Sequence, residues 1–265
     1  MTYAGLSYWD IALAALLLCI NAGLSIYYRL GVAKRLLIAA CRMVVQLTLV
    51  GLVLKALFAT VSPWLTLLCA IAMVAFAGRE AMARQDRTFV GFWGYGLGTI
   101  SMLMAAGIVT VFAMATQFHA EPWYDPRYAI PVLGMILGNT MSGVSLALDR
   151  LLSDADNGRA KIEARLALGH PFRTAMREPL KAAMRAGLIP TVNGMAAAGL
   201  VSLPGMMTGQ ILAGVDPVEA VKYQLLIMFL IAGGTAIGVF CCAMLALKRI
   251  TDPRQRLRLD RLHLP

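Results

Sequence analysis

Six side chains able to hand on an ion gather around two prolines in one apolar stretch. In GLIPTVNGMAAAGLVSLPGMMTGQILAG, Gly187 to Gly214, they are Asn193, Met195, Met206, Met207, Thr208 and Gln210, beside Pro190 and Pro204. Methionine sulfur is a soft ligand and amide oxygen a hard one, so the set could pass a metal ion. Each proline removes a backbone donor and is expected to kink or break a helix. Broken backbone at membrane depth persists only where protein buries it or where it lines a cavity. The competing reading is that the methionines fill space, as flexible core residues do. No intramembrane carboxylate cluster accompanies them, so no tight cation site is defined and the metal ligands stay unknown.

Two other apolar stretches carry polar groups, which are costly in hydrocarbon and therefore functional candidates. Arg42 and Gln46 are four residues apart and share a helix face. The long stem of Arg42 also allows it simply to reach the interface. Further on, Pro131, Gly134, Gly138, Asn139, Thr140, Ser142, Gly143 and Ser145 make a face too small and polar for lipid. The Gly134–Gly138 pair predicts close helix contact. Asn139 needs partners for its amide and is the pathway candidate there.

Recognisable catalytic constellations are absent. There is no GxxxxGK[ST] phosphate loop, and His119, His170 and His263 fall in different loops without an HExxH or Ser/His/Asp pattern. The five cysteines all lie in apolar blocks and none forms a CxxC, so neither a zinc site nor a disulfide framework is implied. The chain is not expected to be an enzyme.

The elements that must position these residues are membrane helices. Of 265 residues, 59% are hydrophobic and 14% charged, against about 25% charged in a soluble domain; mean hydropathy is +0.71. Lys and Arg outnumber Asp and Glu by 24 to 14, yet they cluster in a few loops, as orientation signals do and a nucleic-acid surface does not. Seven apolar blocks approach the roughly 20 residues of a crossing: about 8–28, 36–59, 62–78, 94–116, 129–148, 187–210 and 221–246. The first lacks a basic leader and reads as a retained span. Twenty of the 24 basic residues fall in alternate loops: Arg29, Lys34 and Arg35; Arg79, Arg84 and Arg87; eight between 149 and 186; and Lys248 to Arg261. An all-α polytopic protein of about seven spans follows, N-terminus outside and C-terminus cytoplasmic. It forms one permease domain over 1–265. Residues 116–127 are expected to form an ordered external cap, and the basic tail 248–265 to lie on the inner headgroups or fray.

Between the fifth and sixth blocks lies the longest polar insert, residues 149–186, with Arg150, Arg159, Lys161, Arg165, Arg173, Arg177, Lys181 and Arg185. Residues 161–168 are helix formers, and Gly169-His170-Pro171 stops them. A second helix is predicted from about Phe172 to Ala186, kinked near Pro179. A simple connection rarely needs more than about 8 residues, so this helical hairpin reads as a docking element for a cytoplasmic partner.

IPVLGMILGNTMSGVSLALDRL (Ile130–Leu151), EARLALG (Glu163–Gly169), IPTVNGMAAAGLVSLPGMMTGQILAG (Ile189–Gly214) and Pro217…Ala220…Tyr223-Gln224 resemble the FetB-type iron-export permease family, and the second span with Arg42, Gln46 and Leu47 fits too. The resemblance covers nearly the whole chain. It implies the transmembrane subunit of an ABC exporter in the inner (plasma) membrane. Such a subunit works as a homodimer among membrane lipids with a separate cytoplasmic ATPase that holds the ATP and Mg; this chain binds no cofactor. It also implies iron export in bacteria, and in plant relatives aluminium tolerance with a nucleotide sugar proposed as cargo. Glu163-Ala164…Gly169 echoes the EAA…G loop by which permeases engage their ATPase, although Arg165 replaces the second alanine and Ile189-Pro190 lies too far on. The coupling role is thereby carried onto Glu163, Ala164, Arg165, Leu166 and Gly169. Leu166 and Leu168 would fill an apolar groove on the ATPase. The rivals are an ABC permease for another metal or a sugar nucleotide, an ATPase-independent transporter, and a membrane enzyme or assembly factor.

Overall fold

A computed structural model describes residues 7–83, 85, 87–117 and 121–263. Arg84 and His119 lie outside the described residues, as do the other residues of 118–120 in the proposed external cap. The chain divides into two compact units.

The first unit, Met1–Val61 with Leu212–Gly214, holds α1 (Tyr8–Tyr27) and α2 (Ala33–Thr60). Ser7 starts α1 with a capping box: its hydroxyl accepts the amide N–H of Trp9, and the Asp10 carboxylate accepts that of Ser7 at 2.8 Å. These reciprocal bonds satisfy donors that a helix start otherwise leaves open. Most apolar side chains of both helices are exposed, which suits helices solvated by lipid.

The second unit, Ser62–Ile211 with Val215–Pro265, opens with α3 (Pro63–Ala83), a two-residue strand β1 (Thr88–Phe89) and α4 (Phe92–Met102). A π-turn over Leu103–Gly107 carries α4 into α5 (Ile108–Thr116). Then come α6 (Pro126–Asn157), α7 (Arg159–Ala167), α8 (Phe172–Ala175), α9 (Arg177–Ala197), α10 (Gly205–Leu212) and α11 (Pro217–Arg249). A 3₁₀ turn, Leu259–Arg261, leads into β2 (Leu262–His263), which pairs antiparallel with β1.

Helices α6, α9 and α11 form the centre, and glycines set their spacing. A Cβ on Gly187 would lie 2.6 Å from the carbonyl oxygen of Gly143, and one on Gly143 would lie 2.7 Å from that of Gly187. The backbones of α6 and α9 therefore touch, as small residues permit. On α11, a Cβ at Gly238 would strike the methyl of Thr140, and one at Gly234 would lie 2.6 Å from Ile136. The predicted Gly134–Gly138 contact does not form: a Cβ on Gly138 meets nothing within 4 Å, and one on Gly134 meets only the flexible end of Met73. Spacing identified glycines on α6 but not which of them meets a neighbour.

Among the described residues, six helices are long and apolar enough to cross a membrane, not seven. The predicted block 187–210 is no single helix. Its first half is the end of α9, whose beginning is charged. A tight loop follows, with Gly199 in the left-handed region at φ +84, and then α10. Of the two prolines expected to break it, Pro204 closes the loop and Pro190 breaks nothing: α9 runs through Pro190, which stands on the exposed face while Ala183, Gly187 and Thr191 bury the other, and stops at Ala197. The predicted kink at Pro179 is displaced to Met176; Pro179 sits in the first turn of α9, where a missing N–H costs nothing.

Candidate functional site

One end of the second unit gathers charge. At about 1.5 Å per residue, α6 and α11, with 32 and 33 residues, exceed a bilayer core of about 30 Å. Their surplus carries the chain into α7 and the C-terminal segment. Helix α7 confirms the predicted first arm of the hairpin. Gly169, at φ +85, follows it in the left-handed region that favours glycine, while the amides of Gly169 and His170 donate to the carbonyls of Leu166 and Arg165. The buried side chains Ile162, Phe172, Ala175 and Met176 fix the hairpin to the core.

The coupling candidates divide accordingly. Glu163, Ala164 and Gly169 are exposed, and Glu163 accepts from Arg159 at 2.8 Å. Arg165 turns inward, its guanidinium 3.4 Å from the carbonyl of Ala175, so it braces the hairpin instead of offering charge outward. Leu166 is half-buried and packs against the core. Leu168, 79% exposed, is the apolar side chain the hairpin presents.

The tail does not fray. The amide of Arg258 donates to the carbonyl of Ile250 at 2.8 Å, and Thr251 bridges Leu257, closing a small loop. Inside it, the buried Asp252 carboxylate accepts the amide and the guanidinium of Arg256 at 3.0 and 2.9 Å, and these bonds hold its pKa below the ordinary value. Arg258 forks onto Asp260 with two bonds of 2.7 Å, lowering that carboxyl to about 2. Arg261 donates to the carbonyls of Arg249 and Thr251, and β2 then reaches β1. Arg87, just before β1, pairs with Asp156 at 3.0 Å and donates to Ser153 at 2.9 Å. Finally, the Gln255 side-chain oxygen accepts the amide of Phe172 at 2.8 Å. The loop after α3, the hairpin and the tail are thus one platform. Sequence reasoning missed it because its bonds join residues as distant as 88 and 263.

This platform orders the passes of the second unit. Gly234 and Gly238 of α11 lie beside Ile136 and Thr140 of α6, so the two helices run in the same direction and both reach the platform. The chain from α9 through α10 must then return to the opposite end, although neither helix is among the six long and apolar enough to cross a membrane.

The pathway candidates are dispersed. Arg42 and Gln46 are exposed on α2 in the first unit. Asn139 is exposed on α6, and its amide group donates to the carbonyl of Met135 at 2.8 Å. Asn193 and Met195 are exposed near the end of α9. Met206, Met207, Thr208 and Gln210 are half-buried on α10, where Met206 packs on the core and Thr208 donates to Pro204. The side-chain oxygen of Gln210 is buried with no hydrogen-bond partner among the described residues. Ser145, from the small polar face of α6, donates to the carbonyl of Ala81 and serves packing. Among the described residues no three His, Cys, Asp or Glu side chains converge to hold a metal ion.

A bundle of long apolar helices with a charged platform at one end defines a polytopic membrane protein. Residues 8–251 match the model of a family described as an uncharacterised protein family, UPF0014. The chain belongs to that family. It is 42% identical to a UPF0014 membrane protein of Synechocystis over 76% of this chain and 77% of that one. It is 32% identical to the probable iron export permease protein FetB of Escherichia coli, over 96% of this chain and 95% of the other. It is 30% identical to the protein Aluminum Sensitive 3 of Arabidopsis thaliana, over 81% and 77%. No solved structure matches it significantly. The expected resemblance is confirmed, and with it a role in membrane transport.

Proposed function

We propose that this chain is the permease subunit of an ABC exporter that moves iron out of the cytoplasm, driven by a separate ATPase. Two copies assemble in the inner membrane with two ATPase subunits, the platform facing the cytoplasm and the N-terminus outside. The observation that carries the reading is the similarity to the E. coli probable iron export permease over nearly the full length of both chains. The exposed Leu168 on a basic helical hairpin is the form an ATPase-docking element takes. ATP binding moves the hairpin, and the backbone contact between Gly143 and Gly187 obliges α6 and α9 to move together. The metal is cargo, passing the half-buried amide and thioethers of α10. A second reading, another metal as cargo, draws on the Arabidopsis relative named for aluminium sensitivity.

The test is capture of the cassette ATPase encoded beside the gene by the detergent-solubilised, tagged permease. Wild type should retain it and Leu168→Asp should not, with both inserted equally in the membrane. Leu168 is a better target than Leu166, whose substitution also disturbs packing. Failure of wild type to retain the ATPase would overturn the ABC assignment.

A further inference from the structure

The hairpin does not stand alone: residues 253–257 of the tail face it across a cleft of about 700 Å³. One wall is Glu163, Leu166, Gly169, His170 and Pro171; the other runs from Pro253 to Leu257. Leu166, Pro171, Pro253 and Leu257 supply apolar surface within a lining that is otherwise polar. Its charges are not balanced. Glu163 is engaged by Arg159, and Arg256 by Asp252. Arg254 is exposed and in no ion pair among the described residues. Arg173, beyond Pro171, is likewise exposed. The charge left over for an incoming molecule is positive. The two walls are tied together by the bond from the Phe172 amide to Gln255, and behind the tail wall β1–β2 and Arg258–Asp260 hold it in place.

We propose that the tail segment 253–257 is the second wall of the ATPase-docking cleft, and that the occupant is a segment of the ATPase carrying an apolar side chain flanked by carboxylates. This rests on the ABC reading above and adds to it a binding wall that the hairpin motif does not contain. The apolar group fills the space between Leu166 and Leu257, and Arg254 meets a carboxylate at the rim. Such a rim charge acts on association and its salt dependence more than on the apolar anchor. A platform with two walls also explains why the tail is built into the fold so firmly: a loose wall would lose the ordering free energy on each encounter.

The experiment measures equilibrium binding of the neighbouring cassette ATPase to the full-length permease in nanodiscs, for wild type, Leu168→Asp, Arg254→Glu and Arg254→Lys. Arg254 is chosen because it is exposed and carries none of the tail's internal pairs, and unchanged thermal stability checks that the tail stays folded. Binding should be lost in Leu168→Asp, weakened about tenfold in Arg254→Glu and nearly retained in Arg254→Lys. Wild-type affinity in Arg254→Glu, with binding still lost in Leu168→Asp, would show that the hairpin docks alone and overturn the second wall. Absence of wild-type binding would instead remove the ABC reading itself, and the wall with it.

Discussion

The two halves of α9 live under opposite constraints. Toward the platform, Ala183, Gly187 and Thr191 press a stripe of small side chains into the centre, and Gly187 meets the backbone of Gly143. Toward the other end, Val192, Asn193 and Met195 are exposed, and the helix gives way to a loop whose Leu200 is 91% exposed. The lesson is that a proline on an exposed face need not end a helix. Pro190 lies between the clamped and open halves and interrupts nothing, whereas the helix ends at Ala197, before a loop that turns at Gly199 and closes at Pro204. A clamped half beside a yielding half suits a segment that must take up motion at one end and change shape at the other.

The sharpest way to break that contrast is to fill the seam. Gly187→Leu forces side-chain atoms into the backbone of α6 and should cost about 3 kcal/mol, read as a lower midpoint in a thermal scan of the solubilised protein. Gly138→Ala, in open space, should stabilise by about 0.5–1 kcal/mol through helix propensity. Equal effects at the two positions would mean that the seam lies elsewhere. A smaller loss is expected at the platform. Arg87→Ala deprives Asp156 and Ser153 of a half-buried partner, and should cost about 1–2 kcal/mol, between the values for surface and buried pairs. Hydrogen exchange should then quicken at Val90, whose amide donates to Arg261; unchanged exchange would show that the pair does not hold the strands. The least structural effect belongs to the open half. Asn193→Ala should alter stability by less than about 0.5 kcal/mol while slowing iron flux in inverted vesicles. Wild-type flux would remove the end of α9 from the pathway.

How much of this was legible in the sequence depended on range. Helix α7 and its stop were readable because composition and Gly169-His170-Pro171 act within a few residues. The apolar blocks were readable because a bilayer tests hydropathy over about 20 residues. The choice of Gly143 over Gly138 was not, since it is the approach of α9 and α11, distant in the chain, that separates them. The folded tail was illegible for the same reason: Asp252, Arg258 and Asp260 look like surface charge until β1 and Phe172 are placed beside them. The sixth block misled because it sums the end of α9, a loop and the short α10 into one hydropathy peak, while the charged start of α9 hid the helix's real extent.

The pairing of β1 with β2 sets a timetable. Thr88 finds its partner in His263, so roughly 170 residues must be made before the end of α3 is closed. At about 5–20 residues per second of synthesis, the loop before α4 waits on the order of ten seconds or more with its strand bonds unmade. Within that interval α4 through α11 must enter the bilayer, and the glycine seam can form as soon as α9 arrives. Assembly of the membrane interior therefore precedes completion of the platform, and a nascent chain has no finished platform until its helices are in place.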